Sequence, residues 1–501
     1  MTPHHAARRC GLGLLVLIGC NTGTTRGERR RLVIAVGEDQ YPLALNRERL
    51  GRYPLNAGIC EPLVRLARDF TVAPALATHW ERREPNTVRF FLGHGISFSD
   101  GTPLNASSVA YTLADAARKH TDFSFLSDSS VRVIDDTTLD VRPARVNRRL
   151  ADQLVHPTYG IIEPGSDPAR RPICTGPFRL AGYVPNDHLT VVANERFRGH
   201  RAKTDTVVFR FIPDETTRIL ALRSHQVDVV SDVGRSNARA VERVPGLRVV
   251  TAPPGAVLVM YMNLNGTAPY AQLRDSSLRR AVAAAIDRRT LVQSVIGGGS
   301  TGLVTTVNPP SVLGAYAPLV HGVPYDPAGA KRALHGRRRP LPLTLIVQPG
   351  TIDRAVVDYV QAQLARVGID VSVEQLDAAA FETRVNSGAF DLDLEVPNQN
   401  DANPAFLLAL RWYSKSSTRS AAFTHGSPRF DTLVQLALAA NTDDDARKAA
   451  AEAMHQLVDV EVGTVPLAGM SRVYAMSDRV RGFMPHPSQL NQDWSTVWLT
   501  P

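Results

Sequence analysis

Three glycines, Gly297, Gly299 and Gly302, have the spacing of the fingerprint that binds dinucleotide phosphates. In that fingerprint the glycines follow a strand and open a helix, so that backbone amides at the helix start face the phosphates. Here they follow a predicted helix, and no helix start comes after them. The segment also lacks the lysine and the following hydroxyl of a phosphate-binding P-loop. We interpret it as a plain loop, without support for a nucleotide.

Neighbouring residues do not assemble a metal site. The 14 histidines include no pair at the three- or four-residue spacing of a helical metal site, and Cys60 and Cys174 have no nearby cysteine partner. We interpret His79, His94 and His425 as ordinary surface or supporting histidines. No Ser-x-x-Lys pair stands at a predicted helix start, and no histidine is placed as a recognisable base. The sequence therefore predicts binding rather than catalysis, with no metal and no cofactor.

The first third of the chain has the pattern of a mixed sheet and helix. Apolar runs predict strands at 32–36 and 88–91, and Asn105 stands where a helix N-cap belongs. Residues 131–133 and 139–141 flank Asp135-Asp136 as a predicted hairpin.

The predicted secondary structure of the rest of the chain falls into three successive patterns. Residues 178–259 are rich in predicted strands, and a long helix is predicted from Ser276 through Ile296. After Leu341 the order becomes strand, helix, strand, helix, strand, which predicts a parallel sheet with covering helices. A chain of 501 residues with this pattern is expected to form two or three α/β domains.

The net charge of +9 comes from 57 basic and 48 acidic residues, and much of the excess lies near the amino terminus. A nucleic-acid surface would need a basic face interleaved with exposed aromatic residues. The nearest candidate, Arg337-Arg338-Arg339 beside Pro340, is interpreted as a solvated loop. We predict no nucleic-acid partner.

The first twenty residues have the layout of an export signal. Arg8-Arg9 precede a short apolar run over 11–18, which meets Gly19-Cys20 and is too short to cross a bilayer. Leu17 to Cys20 resemble the bacterial lipobox, in which the cysteine is lipidated. The alternative is a buried helix with an incidental cysteine. With lipidation at Cys20, residues 21–31 are expected to form a tether.

Beyond the signal, the chain contains two cysteines, Cys60 and Cys174. In an exported protein they can form one disulfide, or they can remain as two buried free thiols that pack as small hydrophobes. The residues themselves leave both alternatives open.

Asp100-Gly101-Thr102-Pro103-Leu104-Asn105-Ala106, followed by Val109 and Tyr111 to Leu113, resembles a family signature. The family is the family 5 extracellular solute-binding proteins, the peptide- and nickel-binding receptors of bacterial ATP-binding-cassette importers. Further matching segments follow in order over nearly the whole mature chain: Glu61–Leu63, Pro74–Ala77 with Trp80, Thr175–Phe178, Pro213-Asp214 with Ala221-Leu222 and Val227-Asp228, Asn263, Leu278–Val282 with Ala285–Arg288, Phe390-Asp391 and Gly482-Phe483.

The resemblance implies a bilobal α/β, periplasmic-binding-protein-like fold with an extra inserted domain and a hinge between the lobes. The expected division is a lipoprotein signal peptide at 1–20, a tether at 21–31, a discontinuous domain I at 32–57, 172–258 and 471–501, an inserted domain II at 58–171, and domain III, the opposing lobe, at 259–470.

The resemblance further implies a small peptide held between the lobes, with its ammonium on a carboxylate. Asp401 is our candidate, because it follows a predicted parallel strand and matches an acidic region of peptide-binding relatives; the alternative is an N-terminal cap or a solvated acid. The expected ligand-binding residues are Glu38, Asp39, Gln40, Tyr41, Asn398, Gln399, Asn400, Asp401, Asn403, Trp412 and Tyr413. Trp412 can equally belong to the core. Arg411 or Arg384 could meet a ligand carboxylate, although a surface salt pair is favoured for either.

Some positions depart from the family. Cys60 and Cys174 replace a usual tyrosine and a frequent glycine, and Asn398 to Pro404 replace a stretch richer in acidic and aromatic residues. The resemblance therefore predicts the fold more specifically than it predicts the ligand.

As a family member, the protein is expected to be a monomer that is exported and lipid-anchored at the outer face of the cytoplasmic membrane or in the periplasm. Its expected partners are the permease and ATPase subunits of an importer. A receptor for a nickel chelate or another metallophore is the first alternative, and an exported hydrolase is the second.

Overall fold

The fold is described from a computed structural model of the whole chain. The residues that it describes are 30–37, 57–83, 86–119, 126–127, 129–144, 146–156, 159–167, 170–297, 302–337, 340–348, 351–397, 399–414, 416 and 427–501. Among these residues, no helix is both long enough and apolar enough to span a membrane.

The strands are mostly short and follow the apolar runs of the sequence. In chain order they are β1 (Arg31–Val36), β2 (Val64–Leu66), β3 (Val72–Pro74), β4 (Ala77–Arg83), β5 (Thr87–Leu92), β6 (Val131–Asp135), β7 (Thr138–Val141), β8 (Phe178–Val184), β9 (His188–Ala193), β10 (Thr206–Phe211), β11 (Val229–Val230), β12 (Leu247–Thr251), β13 (Ala256–Met262), β14 (Leu341–Val347), β15 (Ile369–Gln375), β16 (Leu392–Glu395), β17 (Thr464–Met470), β18 (Val473–Ser477), β19 (Val480–Arg481) and β20 (Trp498–Leu499).

The helices are capped largely by Asp, Ser and Thr side chains. They are α1 (Ala106–Lys119), α2 (Leu150–Gln153), α3 (Glu215–Arg223), α4 (Arg235–Val241), α5 (Ser276–Ala284), α6 (Arg288–Thr290), α7 (Pro310–Leu313), α8 (Pro327–Ala333), α9 (Arg354–Arg366), α10 (Ala378–Ser387), α11 (Phe406–Arg411), α12 (Pro428–Ala439) and α13 (Asp443–His455). Shorter 3₁₀ turns span Gln272–Arg274, Gly314–Leu319 and Gln489–Asn491, and π-helical turns span Leu291–Gly297 and Gln456–Val460.

A seven-stranded sheet joins distant parts of the chain in the order β12-β18-β11-β1-β10-β9-β8. The strand β1 lies near its centre and runs parallel to β10 and β11. Both faces of the sheet are covered, since Ile34 and Ala35 belong to two different hydrophobic clusters. The residues of this sheet fall within the segments expected for domain I, except for Arg31 at the start of β1; the domain boundaries themselves remain a prediction.

A five-stranded sheet forms the opposing lobe in the order β15-β14-β16-β13-β17. The predicted parallel arrangement is confirmed for β14 with β15 and β16, which are connected through α9 and α10. It does not extend to the whole sheet, because β13 pairs antiparallel with both β16 and β17. Leu345 and Ile346 lie in separate clusters, so this sheet is also buried on both faces.

The prediction of one continuous helix from Ser276 to Ile296 is wrong, because this segment is interrupted. The helix α5 ends at Ala284, and Asp287 begins the next turn by accepting a hydrogen bond from the Thr290 backbone N–H at 3.0 Å. By contrast, the Asn105 cap is confirmed, since its Oδ1 accepts from the Ser108 N–H at 3.0 Å.

A smaller unit between residues 57 and 176 contains the four-stranded antiparallel sheet β4-β5-β7-β6, with α1 packed on it. The chain enters this unit at Gly58 to Cys60 and leaves it beside that point, where the Gly176 N–H donates to Ile59 O at 2.9 Å. A disulfide joins Cys60 and Cys174 across the junction, with an S–S distance of 2.04 Å. Of the two alternatives left open by the sequence, the structure has the bridge.

Two adjacent crossings connect the seven-stranded and five-stranded sheets. One leads from β12 to β13, and the other returns from β17 to β18. They are hydrogen-bonded to each other, since the Ala252 N–H donates to Arg472 O at 2.9 Å and the Gly255 N–H donates to Met470 O at 3.2 Å. This paired segment is the hinge between the lobes.

Gly255 is the tightest point of the hinge, because a Cβ added there would lie 1.9 Å from Pro487 O. We expect Gly255→Ala to lower the free energy of unfolding by about 1–3 kcal/mol, because the backbone must shift to accommodate the methyl group. Gly182→Ala is the matched control, since nothing lies within 4 Å of a Cβ there. Urea unfolding of the two variants checks this, and equal stabilities would contradict it.

Candidate functional site

The loop 399–403 follows β16 and contacts three parts of the molecule. The Gln399 N–H donates to Gly255 O in the hinge at 3.0 Å. The Asn400 side-chain oxygen accepts from Ser488 Oγ at 2.9 Å, and the Ala402 N–H donates to Asp152 O of α2 at 3.1 Å. This loop, which the sequence selected because of its place after a strand, therefore lies where the lobes meet.

The strand β16 is positioned by buried polar residues that precede it. Asn263 Nδ2, at the end of β13, donates to Gly388 O at 2.8 Å and to Phe390 O at 2.7 Å. Asp391 accepts from the Thr344 N–H of β14 at 2.8 Å, and burial raises its pKa to about 6. These contacts fix the register in which β16 delivers the loop to the interface.

Asp401 is a buried carboxyl group, with 4% of its surface exposed. Its Oδ1 accepts from the Asn403 N–H at 2.9 Å and from Gln399 Nε2 at 3.4 Å. Among the described residues it has no cationic partner. Burial raises its pKa well above the usual value, and the nearby carboxylate of Asp152 raises it further. A buried, ionised Asp401 carboxylate would be stabilised most by a cation supplied by a ligand.

Asn403 extends this polar loop into the start of α11. Its Oδ1 accepts from the Ala405 N–H at 2.9 Å, while its Nδ2 is buried and finds no acceptor within the described parts of the chain. The loop therefore offers both a carboxylate and an amide donor.

The two aromatic residues that were predicted to bind the ligand, Trp412 and Tyr413, lie in different surroundings. Trp412 is 2% exposed and stacks on Tyr261 with ring centroids 5.3 Å apart, so it belongs to the core beneath the site rather than to a cleft wall. Its burial follows from its position directly after α11, whose apolar face packs into the same cluster. Tyr413 is half-buried, and its hydroxyl accepts from Gln435 Nε2 at 2.7 Å.

Two arginines considered for a ligand carboxylate are engaged by the protein. Arg411 Nη2 lies 2.8 Å from Glu395 Oε2, and its guanidinium lies 5.2 Å from the Tyr261 ring. Arg384 pairs with Glu374 and donates to the Tyr270 hydroxyl at 3.2 Å. The Arg411 pair is largely buried, unlike the surface pairing that the sequence favoured.

Other predicted site residues fall outside the described residues. These are Glu38, Asp39, Gln40, Tyr41, Asn398 and the lipidation candidate Cys20. Their roles remain predictions. Within the described parts of the chain, no group of three or more His, Cys, Asp or Glu residues could hold a metal ion.

Sequence reasoning missed a set of contacts across the lobe interface. Arg149, 5% exposed, binds Asp152 and also reaches Asp443 at the start of α13, with Nη1 and Oδ1 2.7 Å apart. Arg82 donates to Asn441 O, and the Arg148 N–H donates to Leu438 O at 3.1 Å. The i,i+3 spacing of Arg149 and Asp152 was visible, but their partners in the other lobe were not.

A family model described as bacterial extracellular solute-binding proteins, family 5 Middle, matches residues 71–419. The chain belongs to this family. The resemblance read from the signature around Asp100 and its companion segments is thereby confirmed.

Curated relatives in this family carry a more specific name. The glutathione-binding protein GsiB of Shigella flexneri is 27% identical over 330 residues, which are 62% of this chain and 61% of the relative. That of Salmonella typhimurium is 25% identical over 334 residues, 63% of each chain. The chain thus spans about three-fifths of the length of the curated relatives that it matches.

Solved structures confirm the bilobal fold. DppA of Helicobacter pylori, in complex with the peptide STSA, superposes with a TM-score of 0.81 at 21% identity, covering 94% of this chain and 98% of that one. NikA of Brucella suis, in complex with Fe(III)-EDTA, gives 0.81 at 20% identity, covering 94% and 100%. A dipeptide-binding protein of Pseudoalteromonas, bound to Met-Leu, gives 0.80 at 17% identity, again covering 94% and 100%.

The Arg411–Glu395 pair generates a stability prediction. Arg411→Ala is expected to lower the free energy of unfolding by about 2–4 kcal/mol, because the largely buried Glu395 carboxylate loses the guanidinium that contacts it. The double variant with Glu395→Ala should lose less than the sum of the two single variants. Arg354→Ala is the control, since its pair with Asp358 is exposed and contributes about 0–1 kcal/mol. Strict additivity in urea unfolding would show that the pair is not coupled.

Proposed function

We propose that this chain is the extracytoplasmic receptor of an ATP-binding-cassette importer for short peptides with a free amino terminus. It closes over the peptide and hands it, unaltered, to the permease and ATPase. Membership of a solute-binding family supports the receptor role, and the names of the glutathione-, dipeptide- and peptide-binding relatives support the ligand class.

The main support for this ligand class is the buried carboxylate of Asp401, which has no cationic partner among the described residues. An ammonium group supplies the missing positive charge and three hydrogen-bond donors. Closure of the lobes removes water, which strengthens this contact relative to an exposed ion pair.

The neighbouring groups suit a peptide backbone. Gln399, Asn400 and Asn403 place amide groups along one loop, and an extended peptide presents N–H and C=O groups at regular intervals. Recognition through the backbone leaves side-chain pockets tolerant of different residues. Asn398 and the segment from Glu38 to Tyr41 are proposed as further contacts on the two sides of the cleft.

Asp401→Asn is expected to weaken binding of trialanine at least tenfold, because an amide cannot pair with an ammonium group. We prefer asparagine to alanine, since its Oδ1 can still accept from the Asn403 N–H and the empty protein should keep its melting temperature. Titration calorimetry at pH 7.5 measures the affinity, with nickel–histidine as a competing ligand class. Unchanged peptide affinity would remove Asp401 from the site; tight nickel–histidine binding without peptide binding would favour a chelate receptor.

The raised pKa of Asp401 adds a pH signature to the same variant. A bound cation favours the ionised carboxylate, so wild-type affinity should fall as the pH drops through the raised pKa of the free protein, and should level off above it. The dependence should be weaker in Asp401→Asn, where Asp152, with a pKa of about 6, still titrates. Affinity that is constant from pH 7.5 to 5 contradicts this account.

We also propose that the protein is anchored through a lipid on Cys20. Cys20→Ser should move the protein from the membrane pellet to the soluble fraction and abolish incorporation of labelled palmitate. Cys10→Ser is the matched control, because that cysteine lies before the apolar run of the signal. Continued lipid labelling of the Cys20→Ser protein would exclude this anchor.

A further inference from the structure

A second buried carboxylate, Asp152, faces the ligand loop from the opposite side of the interface. It lies in α2, whose residues Leu150 and Ala151 belong to the hydrophobic core of the four-stranded unit. Its backbone oxygen accepts from the Ala402 N–H at 3.1 Å, so Asp152 and Asp401 are close although they lie in different units of the fold.

The charges of this cluster do not balance. Arg149 binds Asp152 through Nε and Nη2, both directed at Oδ2, and its Nη1 reaches Asp443. The Asp443 side chain is 62% exposed, so water also stabilises it. When both are ionised, the buried carboxyl groups of Asp152 and Asp401 carry two negative charges, whereas the buried guanidinium of Arg149 carries one positive charge and, of these two, contacts Asp152 only. The exposed Arg82 also lowers the pKa of Asp152. One added positive charge makes the buried cluster neutral.

Each carboxylate keeps one oxygen available. The hydrogen bonds of Asp401 use Oδ1 and those of Asp152 use Oδ2, so Asp401 Oδ2 and Asp152 Oδ1 accept none from the described residues. An independent observation is a pair of buried donors in the same two segments, one on Asn403 and the other on Gln153. Asn403 Nδ2 and Gln153 Nε2, on residues 0% and 3% exposed, have no acceptor in the described chain.

These four groups complement the amino terminus of a peptide. The two carboxylate oxygens can accept from an ammonium group, and the two amide donors suit a carbonyl oxygen. Unpaired buried donors are costly, so a ligand whose carbonyl oxygen satisfies them gains affinity from closure.

We propose that Asp152 is a second ligand-binding residue, which holds the ammonium group of the ligand jointly with Asp401 from the opposite lobe. This inference rests on the proposed function and deepens it: the receptor selects ligands that carry one cationic amine at this point, and that amine links the two lobes. Arg149 acts as a positioning residue, because it holds Asp152 by one oxygen and leaves the other free.

The test compares trialanine with N-acetyl-trialanine, which lacks the ammonium group. Asp152→Asn should weaken trialanine binding at least fivefold in titration calorimetry and should leave the weaker affinity for the acetylated peptide unchanged. A loss shared equally by both peptides would make Asp152 a structural residue only, and unchanged trialanine affinity would exclude it from the site; either result overturns the proposal.

Asp228→Asn is the matched control, since Asp228 is also a carboxyl group whose pKa is raised by burial, but it accepts from the Val33 N–H at 2.8 Å rather than contacting the loop. It should bind trialanine like the wild type. If the acetylated peptide binds too weakly for calorimetry, the double variant Asp152→Asn/Asp401→Asn decides the question. Shared binding of one ammonium predicts a smaller loss than the product of the two single losses, whereas independent, multiplicative losses contradict it.

Solution scattering separates this inference from the proposed function. Saturating trialanine should compact the wild type, and Asp152→Asn at equal saturation should compact less, because one half of the cross-lobe contact is missing. If Asp401→Asn weakens trialanine binding while Asp152→Asn binds and compacts like the wild type, the proposed function stands and the role of Asp152 fails. If no peptide binds the wild type, the proposed function and this inference fall together.

Discussion

The buried carboxyl group of Asp401 constrains the whole interface around it. A carboxylate removed from water needs fixed partners, and a flexible loop could not supply them. The Asn403 N–H and the Gln399 side chain provide these partners from within the loop. The loop in turn is held by contacts with Gly255, Ser488 and Asp152, which belong to three different parts of the fold. The position of one acid is thus determined by the relative placement of all of them.

The hinge is mechanically connected to this loop. Gly255 lies in one of the two crossings between the sheets, donates to Met470 in the other, and accepts from Gln399 at the start of the loop. A rotation about the crossings therefore moves a direct partner of the loop 399–403. This arrangement accounts for the tight packing at Gly255, where a side chain would displace the carbonyl of Pro487.

Local patterns predicted those parts of the structure that local physics determines. The alternation of strands and helices after Leu341 specified the parallel pairing of β14, β15 and β16, because a crossover through a helix returns the chain in the same direction. The antiparallel strands β13 and β17 adjoin the two crossings to the other lobe, and their own sequences do not indicate which strands they pair with.

The same limit applies to the site. The place of Asp401 after a strand of a parallel series was enough to select its loop, whereas the burial of Trp412 depends on Tyr261, far away in the sequence. The place of Asp152 and Arg149 at the lobe interface could not be predicted, because it depends on contacts with Ala402 and Asp443 in the opposing lobe.

The charge arrangement also bears on why an empty receptor would stay open. Closure without ligand places Asp152 beside Asp401, and burial raises the pKa of both carboxyl groups, that of Asp152 to about 6 although Arg149 opposes the shift. Keeping both groups ionised in the closed, empty state is therefore unfavourable. A ligand ammonium between the carboxylates removes this penalty, while a neutral or anionic solute does not. Because a ligand shifts an equilibrium only by its difference in affinity for the two states, a cation that binds only between the two lobes couples loading to closure. The permease would then meet a closed receptor mainly when it carries its cargo.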